Sequence, residues 1–289
     1  MSYQLCKDVM RNDARRKSFN ELANKIFRLS FEKWYQDGYW KETNMPYTIF
    51  DDHKAVANVS ANRMELIWHE QRRNYIQLGT VMTDVSYRNQ GLSRLLMDEI
   101  MKDWENNCDG IFLFANKSVL DYYPRFGFEK EKQYQYSVMI SKTTGSRKKM
   151  NMESLQDREM LEKYYIKSNP FSKLKVINNF SLLMFYCSSF MKDSVYYIPQ
   201  YDAVVIAEQE GNVLRCFEVY CDAGKNLNDI VGSAALEGTN EVIFGFTPKD
   251  SINYEVKPVE GSDSTLFVLK SKENIYEGQK LIFPELFHT

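Results

Sequence analysis

The sequence predicts an α+β fold with a strand–helix–strand unit at its centre, and three observations predict it. Residues 74–83, NYIQLGTVMT, read as a strand that runs through Arg88–Ser93 into a segment with Leu92, Leu95, Leu96, Ile100 and Trp104 at helical spacing. GIFLFA (110–115) is short and wholly apolar, as expected of a strand covered on both faces. Alternating strand-like pieces precede this unit and return in RFGFEKEKQYQYSVMI (125–140), giving a mixed central sheet flanked by helices.

Taken in order, residues 18–37 place Phe19, Leu22, Ile26, Leu29 and Trp34 near helical spacing, with Ser18 as the N-cap. Strand-like pieces follow at 47–51, 54–60 and 63–68, and Ala61-Asn62 is compatible with a tight turn between the last two. A short helix is expected over 117–123. Residues 142–151 are polar, basic and without periodicity, which predicts a linker between a first unit (1–141) and a second (152–289). Beyond it come helical patterns at 153–167 and 180–192, and a hairpin of 202–209 with 213–221. A helix at 226–236 and strands at 242–247 and 265–270 follow. That order repeats the first half, so the second unit reads as a duplicate. Its DAGKNLNDI (222–230) is acidic where the first unit has Arg88–Ser93.

Composition narrows the function classes. With 44% hydrophobic and 26% charged residues the chain reads as soluble and globular. A net charge of −2 argues against bulk nucleic acid or an anionic membrane as partner. The short runs Arg15-Arg16-Lys17, Arg72-Arg73 and Arg147-Lys148-Lys149 read as solvated faces, since no nucleic-acid motif flanks them. No secretory h-region opens the sequence, and no apolar run approaches the ~20 residues of a membrane helix. Five cysteines without CxxC spacing read as reduced thiols in a cytoplasmic protein. Three histidines leave no basis for a metal site, and His53 and His288 read as surface or satisfied side chains.

The strand-to-helix turn carries the first functional signal. A strand ending at a helix start aims several backbone N–H groups at one spot, and the helix dipole makes that spot suit a pyrophosphate. Gly91 permits close approach, Ser93 is small, and Arg88 offers a charge-assisted contact. The competing reading is an ordinary turn closed by a surface arginine.

Arg88-x-x-Gly91-x-Ser93 resembles the acyl-CoA signature of the GCN5-related N-acetyltransferases (GNAT), Gln/Arg-x-x-Gly-x-Gly/Ala, with Ser93 a departure conservative in size. A second block, NKSVLDYYPRFGF (116–128), resembles the family's Asn-(x)6-Tyr-x-x-x-Gly-Phe segment, with Asn116, Tyr123, Gly127 and Phe128 in register. The wording around Arg88, with a second half lacking the motif, is similar to the enhanced-intracellular-survival subgroup, in which an active unit precedes a degenerate one. This resemblance implies a GNAT fold with a second, degenerate GNAT-like unit. It also implies transfer of an acetyl group from acetyl-CoA to a primary amine of a small molecule or peptide. The backbone of Val81, Met82 and Thr83 would bind the pantetheine arm. Amides of Asn89, Gln90, Gly91, Leu92 and Ser93, with Arg88, would hold the pyrophosphate. Asn116 would position the thioester end, and Tyr123 would protonate the departing thiolate.

Bland readings stand beside these. Tyr123 is also a candidate packing residue in a chain with 19 tyrosines, and Asn116 a helix cap. For the general base, Glu65, His69 and Glu70 lie on or after the strand expected to face the cleft, and are otherwise exposed hairpin charges. The resemblance adds the carboxylate of Thr289. Trp34, Tyr35, Tyr39 and Trp40 line a cleft or fill a core. A non-catalytic acyl-CoA-binding sensor or scaffold is the alternative function, and a pure interaction protein the third. The second unit is expected to shape the acceptor cleft or build a homo-oligomer interface.

Overall fold

A computed structural model describes residues 3–141, 145–250, 253–260 and 264–289. Strand β1 (Tyr3–Cys6) leads to helix α1 (Asp13–Phe27), which Asn12 caps by accepting the Arg15 N–H at 3.0 Å. α1 stops where Arg28 turns left-handed (φ 57°), and α2 (Glu32–Gln36) is a separate helix. The single helix expected over 18–37 is thus two, and it starts earlier. Ser18 is not the cap: it sits inside α1, where its hydroxyl accepts the Ala55 N–H at 2.8 Å. The first turn, Asp-Ala-Arg-Arg-Lys, holds almost nothing apolar, so periodicity could not register it.

Strands β2 (Asn44–Asp51), β3 (Lys54–Trp68) and β4 (Gln71–Thr83) form an antiparallel meander. β3 is one 15-residue strand, and no turn interrupts it at Ala61-Asn62. Asn62 mimics a turn signal because it is polar; its buried amide donates to the Gln77 carbonyl at 3.1 Å and so belongs to the sheet interior. The actual turn is His69-Glu70, both at positive φ. Helix α3 (Leu92–Trp104) buries Leu92, Leu96, Met97 and Ile100, while Leu95 stays outside the stripe. β5 (Gly110–Ala115), two 3-10 turns over Lys117–Val119 and Tyr123–Phe126, β6 (Phe128–Glu131) and β7 (Tyr134–Met139) end the first half.

Residues 142–144 of the expected linker lie outside the described residues. The remainder is not a free tether: β8 (Lys148–Lys149) joins a sheet, and Met150 and Met152 are buried. Next come α4 (Leu155–Ile166), β9 (Leu174–Ile177), α5 (Phe180–Cys187) and β10 (Val195–Ile198). The expected hairpin is β11 (Ala203–Glu210) with β12 (Val213–Tyr220). It is followed by α6 (Leu227–Ala234), β13 (Glu241–Phe244), β14 (Glu255–Pro258) and β15 (Thr265–Leu269).

Two mixed sheets result, with orders β1-β2-β3-β4-β5-β15-β6 and β14-β7-β13-β12-β11-β10-β8, and β9 attaches to β3. Each contains an antiparallel run, one parallel pair (β4–β5, β12–β13) and then an antiparallel strand. That last strand is exchanged. β15, from the second half, pairs with β5 and β6, and β7, from the first, pairs with β13 and β14. The boundary expected at residue 141 therefore falls between strands that cross from one sheet to the other.

α3 covers one face of the first sheet, against Ile76, Leu78, Ile111 and Leu113. The opposite face, with Tyr75 and Phe112, shares a core with Phe283, Phe287 and second-half residues such as Leu183 and Tyr220. Trp34 and Trp40 stack at 5.5 Å in a further core with Phe19 and Phe31, so these tryptophans fill a core. No helix among the described residues is long and apolar enough to cross a membrane.

Candidate active site

β4 and β5 pair over only four positions, Tyr75–Leu78 with Gly110–Leu113, and then diverge. β5 continues beside β15, whereas β4 from Gly79 onward has no strand neighbour on that side among the described residues. The divergence has a local cause. Between Ser60↔Gly79 and Asn58↔Met82 the β3–β4 register shifts, with Thr80 at φ 46°. Buried Asn58 fixes that bulge, donating to the Thr80 carbonyl at 2.9 Å while accepting the Thr48 hydroxyl at 2.7 Å. The backbone of Val81–Thr83 is left as an unpaired edge inside a wedge.

The link to α3 is anchored from beneath. Asp84 is buried, accepts the Ser86 N–H at 3.1 Å, and meets Lys54 at 2.9 Å and Lys25 at 3.0 Å. Chiefly through Lys54, these partners hold its carboxyl well below the usual carboxylate range. Asn89 (φ 62°) and Gly91 (φ 77°) then turn left-handed, so successive N–H groups converge. Gly91 is the N-cap and has no capping side chain; the first helical bond runs from Leu95 N–H to its carbonyl. The amides of Leu92, Ser93 and Arg94 therefore face outward with the positive end of α3 behind them. Arg88 is exposed, and among the described residues no carboxylate pairs with it. Ser93 does more than stay small, because its hydroxyl lies 2.8 Å from that of Thr83 and ties helix start to strand end.

One cavity of about 750 Å³ collects these features. Val81, Met82, Thr83, Arg88, Asn89, Gly91, Leu92, Ser93, Asn116 and Tyr123 all line it. Gln90 does not, its amide oxygen accepting the Tyr3 hydroxyl at 2.6 Å instead. Asn116 is exposed at the end of β5 and caps the next turn, accepting the Ser118 N–H at 3.0 Å. Tyr123 is 4% exposed, its ring 5.7 Å from Phe267 and 5.3 Å from Tyr122. Burial, with a smaller push from Tyr122, raises its phenol above the ordinary range, so it keeps its proton at neutral pH.

Of the candidate bases, only Thr289 lines this cavity. Glu65 pairs with Arg72 at 2.7 Å and accepts from Asn178 at 2.6 Å, while His69 and Glu70 form the distant β3–β4 turn. Sequence reasoning missed Gly79 and Phe114. A Cβ on Gly79 would lie 2.3 Å from Thr289 Oγ1, and the Phe114 ring stacks on His288 at 3.8 Å. The sole signal in the sequence is a glycine inside a strand, which marks a close approach.

The second sheet has the same wedge position, but it is closed. α6 is capped by Asn226, which accepts the Asp229 N–H at 3.2 Å, and Asp229 puts negative charge into its first turn. Beyond the β12–β13 pairing, Gly245 N–H still donates to Cys216, and Glu285 N–H donates to Gly245.

A family model described as the acetyltransferase (GNAT) domain matches residues 11–130. Among solved structures, a conserved protein of unknown function from Enterococcus faecalis V583 is similar over 93% of this chain and 72% of its own, at TM-score 0.60 and 12% identity. Eis1 from Mycobacterium abscessus is similar over 92% and 73%, at 0.58 and 12%. A GCN5-related N-acetyltransferase from Kribbella flavida is similar over 92% and 71%, at 0.58 and 10%. These likenesses show that the fold of nearly the whole chain, second sheet included, is shared. The segment 11–130, which holds the splayed strand and the uncapped helix start, is thus similar to the GNAT acetyltransferase domain, and the fold it shares with these structures extends over nearly the whole chain.

Proposed function

We propose that the protein is an N-acetyltransferase that moves an acetyl group from acetyl-CoA to a primary amine of a small molecule or peptide. The first unit (1–141) is the catalytic one, and the second (152–289) is a degenerate partner that binds no donor. The observation that carries this reading is that a free strand edge, an uncapped helix start and Tyr123 open onto one cavity. Acetyl-CoA suits this set of groups, since its pantetheine amides match a bare strand edge and its phosphates match exposed amides beside an unpaired arginine.

Bound acetyl-CoA supplies a thioester carbonyl open to attack by a neutral amine. The Val81–Thr83 backbone hydrogen-bonds an extended amide chain as an added strand, and one of its N–H groups polarises the carbonyl. Arg88 and the amides of the Asn89–Ser93 turn hold two adjoining phosphates. Asn116 positions the reacting end; as the C–N bond forms and the C–S bond breaks, Tyr123, a phenol that burial makes still less acidic, delivers its proton to the departing sulfur, and the proton shed by the acylated nitrogen returns to the phenolate through water. All five cysteines are unpaired, which supports a reducing, cytoplasmic setting.

Acetyl-CoA is expected to raise the melting midpoint, since binding to the folded state alone stabilises it. CoA release over a panel of amines identifies the acceptor. Tyr123→Phe is expected to lower that release about 100-fold while leaving the acetyl-CoA stabilisation intact. Release at the wild-type rate would remove Tyr123 as the acid and leave it a packing residue against Phe267, whereas stabilisation by acetyl-CoA without release from any amine would favour the non-catalytic binder.

A further inference from the structure

Residues 281–289 connect the two sheets. Ile282 N–H donates to Thr247 Oγ1 at 2.9 Å and Phe283 N–H to Gln133 Oε1 at 3.0 Å, and a 3-10 turn follows at Glu285–Phe287. The last two residues then lie in the first sheet's wedge, on the face away from α3. Thr289 occupies the space that a Gly79 side chain would need and accepts the Asn62 amide at 2.9 Å, while His288 stacks on Phe114. Gly79, Phe114 and Thr289 all line the cavity that holds Tyr123. This segment is therefore part of the cavity wall.

Two further contacts that fix it come from the second half of the chain. Arg215 on β12 grips Glu285 in a forked pair, with Nη2 at 2.7 Å from Oε1 and Nε at 3.1 Å from Oε2. The Tyr186 hydroxyl on α5 donates to the His288 carbonyl at 2.7 Å. By strand register, Arg215 stands where the first unit has Gln77: each is the third residue of its parallel pairing, opposite Ile243 and Phe112 respectively. Among the described residues the buried Gln77 side-chain amide has no hydrogen-bond partner, so the same ladder position carries an idle amide beside the open wedge and a carboxylate-binding fork beside the closed one. Only Leu286, Phe287 and His288, partly coiled in one turn, separate Glu285 from Thr289 in the cavity wall.

We propose that Arg215 is a positioning residue for the first unit's cavity: by holding Glu285 it sets His288 and Thr289 against Phe114 and Gly79, where the amine must approach. The inference rests on the acetyl-transfer reading and gives the degenerate unit a part in it without donor binding. A misplaced wall leaves the phosphate cradle and strand edge untouched, so donor affinity should hold while use of the amine falls.

The test uses the full chain with Arg215→Glu, Glu285→Arg, the double swap and Arg215→Lys. Acetyl-CoA titrations of the melting midpoint, kinetics with the best amine of the panel, and hydrogen exchange of residues 283–289 are measured. Each single reversal should raise exchange in that segment and lower kcat/KM for the amine about tenfold or more, with the acetyl-CoA titration unchanged. The swap should restore most of the loss, and Arg215→Lys, which keeps the charge without the fork, should fall between. Single reversals that free the segment yet turn over like the wild type overturn the inference, as does a folded swap that restores nothing. A wild type that acetyl-CoA does not stabilise, or that acetylates no amine, overturns the donor reading and this inference with it.

Discussion

At the scale of single residues, matching ladder positions separate an open wedge from a closed one. Gly79 in β4 and Phe217 in β12 occupy the same place two residues beyond Gln77 and Arg215; one admits Thr289, and the other fills its own space. The next residue, Glu218, is buried, and among the described residues the one group that hydrogen-bonds its carboxyl is the Asn169 amide, donating at 2.8 Å. Burial pushes its carboxyl up to about 8 from the ordinary 4.5, with Asn169 pulling the other way. Below 4.5 folded and unfolded chains both keep this proton. Between 4.5 and about 8 the unfolded chain releases it first, so stability falls across that window and levels off above it. Glu218→Gln should flatten that decline, and melting midpoints that keep the wild-type slope would show that the carboxyl is not its source. Glu218 is not legible as special in the sequence, and Gly79 is so only as a glycine within a strand. A glycine in a strand and an acid in an alternating run take their meaning from what packs against them.

At the scale of elements, the turn into α3 is the most legible feature, because helix geometry fixes where its free amides point once a strand is known to precede it. Gly91 makes this testable. At φ 77° it has open space where a Cβ would sit, with no atom within 4 Å, so a side chain there is penalised by backbone strain alone. Gly91→Ala should cost about 1 kcal/mol of stability and, as the first turn relaxes, weaken stabilisation by acetyl-CoA. Gly211, in the β11–β12 hairpin, has φ 58° and equally open surroundings. Gly211→Ala should carry a similar stability cost with the acetyl-CoA effect intact; equal losses in both variants would remove the cradle role. β3 reads as two strands because buried Asn62 carries a turn-like side chain. Sequence cannot tell an amide satisfied by Gln77 from one facing water.

At the scale of the whole molecule, alternation marks most strands but not their partners. Residues 265–270 read as the last strand of a second unit, and β15 is instead the strand between β5 and β6. Pairing across that distance depends on complementary edges and on burial of Phe267, which no local pattern encodes. The fragment 1–141 should therefore fail to fold alone: it lacks the strand that covers β5 and β6, and its own β7 has no sheet to join. Its circular dichroism and hydrogen exchange should become native-like only when 142–289 is co-expressed. A fragment 1–141 that melts cooperatively by itself would refute this.

The exchanged strands also bear on how the chain is born. A ribosome releases β5 and β6 long before residue 269 emerges, so the flank of the first sheet waits bare, apolar and open to wrong pairings, while the second half is still being made. Local contacts can form α3 and the β2–β4 meander early, but closing the sheet needs a partner from far along the chain, a slow step. The half that carries the cavity is thus made first and finished last.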